Sequence, residues 1–149
     1  MNIASVVLVC APYVHVTTAQ ALVVVESSSN PYAIGVVGGV LDRQPHTRGE
    51  AIATARALRA AGWDFSAGLA QINVRNWGRT GLSVETVFDP CANLHAMQRI
   101  LRECYARAAA QAPDSQARLR AALSCYFGGN FVRGFREDYV DRVLAAAAR

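Results

Sequence analysis

No run of apolar residues in this chain approaches the roughly 18 needed to cross a bilayer as a helix, so nothing in it reads as a transmembrane segment. Its four cysteines form no Cys-x-x-Cys pair, and the three histidines, His15, His46 and His95, lie at no metal-ligand spacing from them. A zinc site is therefore not expected, nor is any other metal or cofactor, and the histidines read as structural or surface residues. The arginines have no interleaved aromatics: Arg48, Arg56, Arg59, Arg99, Arg102, Arg118 and Arg120 recur at helical spacings among alanines. That pattern fits a solvated helix face better than a nucleic-acid groove. A formal charge of +4 still permits weak attraction to an anionic polymer. Met1 to Val9 is apolar but lacks a basic leader and a small-residue cleavage site, so no export signal is evident and the segment is expected to be a short first helix. There is no internal repeat, linker or low-complexity stretch beyond the alanine-rich tail.

What is present is a globular composition, 52% hydrophobic and 17% charged, in 149 residues. That length is enough for one domain, 1–149, with its own core. An even number of scattered cysteines (Cys10, Cys91, Cys104, Cys125) suits two disulfides in an oxidising compartment. Buried free thiols are the alternative in a reducing one. Spacing alone leaves all three pairings open.

The pattern along the chain is mostly helical. Helices are expected over residues 2–10, 18–28 with Thr17 or Thr18 as cap, 49–61 with Gly62 as stop, 91–110, 116–126 and 136–147. Asp89 should cap the fourth of these, with Pro90 in its first turn. The valines of 18–28 would also suit a strand, but the flanking threonines and the length favour a helix. Loops and two short strands are expected between Asn30 and Gln44, and Gly68 should open another short helix.

Against this background one carboxylate stands out. Glu26 ends the apolar run Ala21-Leu22-Val23-Val24-Val25 and opens the polar stretch Ser27-Ser28-Ser29-Asn30-Pro31. A carboxyl at the lip of a buried segment is desolvated on one side, which raises its pKa and suits it to act as a general acid. Taken alone, it reads first as a helix-end glutamate in solvent. Two further segments mix small residues with amide or hydroxyl groups, Gly68-Leu69-Ala70-Gln71-Ile72-Asn73 and Ser124-Cys125-Tyr126-Phe127-Gly128-Gly129-Asn130. Amides present donors and acceptors together, which suits sugar hydroxyls and N-acetyl groups.

The order of these segments resembles the lytic transglycosylases of the lysozyme superfamily, and most of all their specialised VirB-type branch, which accompanies type IV secretion and conjugation systems. The resemblance rests on Glu26-Ser27, Asn30-Pro31-Tyr32-Ala33-Ile34-Gly35, residues 68–73, Phe88-Asp89-Pro90-Cys91-Ala92-Asn93-Leu94 and Ser124 to Phe131, and covers about Cys10 to Val143. Two positions depart from the family pattern. Ala70 stands where many relatives carry methionine, and Phe127 where general transglycosylases carry asparagine, which puts a substrate contact from position 127 in doubt.

The resemblance implies a lysozyme-like α+β fold, mostly helical, with a small strand and loop region between residues 31 and 48. It pairs Cys10 with Cys91 and leaves Cys104 with Cys125. It implies cleavage of peptidoglycan between N-acetylmuramic acid and N-acetylglucosamine, with Glu26 as acid and then base, giving a 1,6-anhydro product. Ser27 would support the acetamido group, Gln71 and Asn73 would bind the glycan, and Tyr126 would orient Glu26 or the substrate. Tyr32, Gly68 and Asn130 complete the expected binding set. The expected setting is the periplasm, the expected partners glycan strands and secretion-machine components, and the expected state a monomer. A muramidase would need a second carboxylate, for which Asp42, Glu50 and Asp64 are the candidates. A peptidoglycan-binding assembly factor is the non-enzymatic alternative.

Overall fold

Five of the seven helices begin at a side chain that accepts a hydrogen bond from the first free N–H groups of the helix. Such caps satisfy donors that have no partner inside the helix. In a computed structural model covering residues 1–149, Asn2 starts α1 (Ile3–Cys10), Thr47 starts α3 (Arg48–Ala60), Asp89 starts α4 (Pro90–Arg107) and Asp114 starts α5 (Ser115–Gly128). The exception to expectation is α2 (Val16–Ser27), which is capped by neither threonine. The His15 imidazole Nδ1 accepts from the Thr17 amide instead, so the helix starts earlier than expected.

The strands also differ from expectation. Only β1 (Ile34–Val36) falls between Asn30 and Gln44. It pairs antiparallel with β2 (Phe65–Ala67), which pairs in turn with β3 (Ile72–Asn73). The segment expected to open a helix at Gly68 is therefore a tight turn between two strands, and a 3₁₀ turn at Val74–Asn76 follows it. Gly68 and Gln71 both take positive φ, 84° and 50°, which a helix excludes. The last expected helix, 136–147, begins a few residues later than expected. A short α6 (Arg133–Arg136) is separated from α7 (Tyr139–Ala147) by Asp138 at φ 59°.

The architecture is mostly helical α+β. The core joins Leu22 and Val23 of α2, Leu94 and Met97 of α4, Leu123 of α5 and Val140 of α7 to Phe65, Trp77 and Phe88 from the sheet side. Helix α4 packs along α5, and α2 along α7. Two disulfides staple the frame. Cys10–Cys91 joins the end of α1 to the start of α4, and Cys104–Cys125 joins α4 to α5, the pairing implied by the resemblance. No helix is long and apolar enough to cross a membrane.

Candidate active site

The last turn of α2 carries Glu26 to the edge of a groove of about 670 Å³ that runs between the sheet and the α4–α5 pair. Its Oε1 accepts a hydrogen bond from the Tyr139 hydroxyl at 2.7 Å. Its Oε2 has no partner within the protein, and since no buried side-chain oxygen lacks one, this atom is open to the groove. Burial of the carboxyl raises its pKa from 4.5 to about 7, although the Tyr139 hydrogen bond and the charge of Arg142 both pull the other way. Desolvation dominates because the ionised form loses more hydration than one hydroxyl and one distant guanidinium restore. The nearby phenols respond in kind: burial and the Glu26 charge hold Tyr126 and Tyr139 well above the ordinary tyrosine range. Both remain hydrogen-bond donors at neutral pH.

The sequence marks Tyr139 only as part of the final expected helix. It is fully buried, and its ring stacks on Phe127 at 4.6 Å between centroids and 16° between planes. The usable signal was its place beside Val140 and Val143 on the buried face of α7, because a buried tyrosine hydroxyl needs a partner. Phe127 lines the groove and, through this stack, supports the residue that touches the carboxylate.

On the opposite wall the turn 68–71 is held from several directions. The Asn93 amide, fully buried on α4, accepts from the Ala70 N–H at 2.8 Å and donates to the Ala67 and Val87 carbonyls at 3.0 and 2.8 Å. The Tyr126 hydroxyl donates to the Ala70 carbonyl at 2.7 Å. Tyr126 therefore anchors the turn, and its hydroxyl is not bonded to Glu26. The Gln71 Nε2 donates to the Ala33 and Gly68 carbonyls, while its Oε1 lies so close to Gly35 that a Cβ there would sit 2.8 Å from it. Asn73 donates to Asp64 at 2.8 Å and accepts from the Arg75 backbone and side chain.

Of the expected site residues, Glu26, Gln71, Asn73 and Tyr126 line the one groove; Ser27, Tyr32, Gly68 and Asn130 do not. The buried Ser27 hydroxyl donates back to the Val23 carbonyl of its own helix. Tyr32 packs against the core. Gly68 is buried, and a Cβ there would fall 2.1 Å from Asn93 Nδ2, so its role is close approach. Asn130 accepts from the Val132 and Arg133 amides and shapes the turn after α5. Among the candidate second carboxylates, Asp42 and Glu50 lie outside the groove, and Glu50 pairs with Arg43 at the start of α3. Asp64 does line it; it accepts from Asn73 and lies 3.9 Å from Arg75.

A carboxyl held near neutrality on a groove lined by amides can act as a general acid toward a bound polar molecule. In agreement with it, residues 8–143 match the model of the transglycosylase SLT domain, and the chain belongs to that family. It is 50% identical over 144 residues to the type IV secretion system protein virB1 of Brucella suis, an alignment covering 93% of this chain and 60% of that protein. It is 37% identical over 140 residues to protein virB1 of Agrobacterium tumefaciens, covering 93% of this chain and 57% of the relative. The chain thus spans about 60% of the length of the curated relatives it matches. No solved structure matches it.

Proposed function

We propose that this chain is a peptidoglycan lytic transglycosylase that opens the cell wall, in the periplasm, for a type IV secretion or conjugation apparatus. Glu26 protonates the glycosidic oxygen between N-acetylmuramic acid and N-acetylglucosamine as the bond to the anomeric carbon breaks. The substrate's N-acetyl group stabilises that carbon. Glu26, now ionised, takes the proton of the C6 hydroxyl as its oxygen attacks the same carbon, closing a 1,6-anhydro ring without consuming water. Acid and base work by one residue requires a pKa near the working pH. The observation that carries this reading is Glu26 itself, raised to about 7 with Oε2 open to the groove. Gln71 and Asn73 hold the glycan on the opposite wall, each with its amide nitrogen already engaged by the protein.

A second reading, hydrolysis of the same bond by water, is favoured by Asp64, the other carboxylate of the groove. Its engagement by Asn73 and its neighbour Arg75 argue against a free general base. Mass spectrometry of muropeptides released from purified peptidoglycan separates the readings. Anhydro products from the wild-type chain, their loss in Glu26→Gln and their persistence in Asp64→Asn are expected. Reducing, hydrated products that vanish in Asp64→Asn would establish the muramidase.

A further inference from the structure

Four arginines line the groove, Arg75, Arg79, Arg107 and Arg133, against two carboxylates. Three of the four are engaged with acidic groups: Arg79 pairs with Glu103, Arg133 with Glu137, and Arg75 lies beside Asp64. Arg107 is different. It ends α4 on the groove wall with no carboxylate within ion-pair distance. Its Nη1 lies 3.4 Å from the Cys125 sulfur, and its guanidinium lies 5.7 Å from the centre of the Phe131 ring. A sulfur and a ring face hold a guanidinium in place while leaving most of its five N–H donors unspent.

If the groove binds peptidoglycan, as proposed above, the sugars passing along it are neutral in their rings. The acidic groups they carry hang from the lactyl ether of N-acetylmuramic acid: the lactyl carboxylate itself where the peptide has been removed, or the carboxylates of the stem peptide where it is present. We propose that Arg107 is a substrate-recognition residue that binds a carboxylate on this lactyl branch, so that the chain prefers anionic glycan over a neutral polymer of the same backbone. A planar guanidinium grips a carboxylate through two parallel hydrogen bonds, which a lysine cannot reproduce.

The test measures binding in the Glu26→Gln background, which prevents turnover. Three tetrasaccharide probes are compared: a peptide-bearing muropeptide, the same glycan stripped of peptide to expose the lactyl carboxylate, and chitotetraose, which has neither. Arg107→Gln is expected to weaken an acidic probe about tenfold, with Arg107→Lys intermediate and chitotetraose unchanged. A loss confined to the peptide-bearing probe assigns the contact to the stem peptide; a loss on the stripped glycan assigns it to the lactyl carboxylate. Equal weakening of all three probes, or no change in any, overturns the inference. Failure of the transglycosylase reading would appear separately, as missing anhydro products from the wild-type chain, and would leave these binding ratios as they are.

Discussion

At the residue scale, the protonation of Glu26 is set by the competition between desolvation and hydrogen bonding. Its folded-state pKa of about 7 lies above the ordinary value of 4.5, so protons bind the folded chain more tightly than the unfolded one. The stability from this site is full below pH 4.5 and is lost as the pH rises through about 7. Glu26→Gln should therefore match the wild type in urea unfolding below pH 4.5 and exceed it above pH 7. The gain should be about 2 kcal/mol, since water at the open Oε2 offsets part of the cost of burial. Equal stability of the two proteins at pH 8 would show the carboxyl to be solvated. Tyr139→Phe keeps the buried ring but removes the hydroxyl that favours the carboxylate. The basic limb of the pH–activity profile should move upward, and turnover should fall about tenfold to a hundredfold through lost positioning. An unmoved limb would leave Tyr139 only a packing role.

At the scale of elements, the turn between β2 and β3 depends on one buried amide. Asn93 satisfies a donor and two acceptors that no other side chain reaches. Asn93→Ala should cost about 2–4 kcal/mol, read as a lower urea midpoint, because buried backbone groups would be left unpaired. Gly68→Ala should fail in the same direction, since its Cβ would meet that amide and its φ of 84° disfavours alanine. If either variant unfolded like the wild type, the turn would have another support. The sequence drew attention to this segment for its amides and misplaced it as a helix start. Local pattern suggested the wrong element because the turn is stabilised by Asn93 and Tyr126, 23 and 56 residues away from the atoms they bind. Asn93 itself was visible as a polar residue beside Leu94, Ala96 and Met97 on the buried face of α4, a position that demands partners.

At the scale of the whole molecule, the disulfides divide their labour. Cys10–Cys91 closes a separation of 81 residues and Cys104–Cys125 one of 21, so chain entropy ranks the first higher, about 4–5 against about 3 kcal/mol. Activity should rank them the other way, because Cys104 and Cys125 line the groove and Cys125 precedes Tyr126. The double variant Cys10→Ala/Cys91→Ala should lose more thermal stability, and Cys104→Ala/Cys125→Ala more activity at a temperature where both remain folded. The same order in both measurements would remove the distinction.

By itself the sequence determined the helices, through caps, stops and apolar runs that act over a few residues, and the family, through ordered motifs that include the one exceptional carboxylate. Only the tertiary structure decided that the sheet draws on residues 65–73, and that four of eight expected site residues face the groove. It also supplied Tyr139, 113 residues from Glu26, as the hydrogen-bond partner of that carboxyl. The reason is physical. A helix cap is a contact between near neighbours, whereas the pKa of a carboxyl depends on what surrounds it, and here Tyr139 of α7, stacked on Phe127 of α5, is brought to Glu26 from far along the chain.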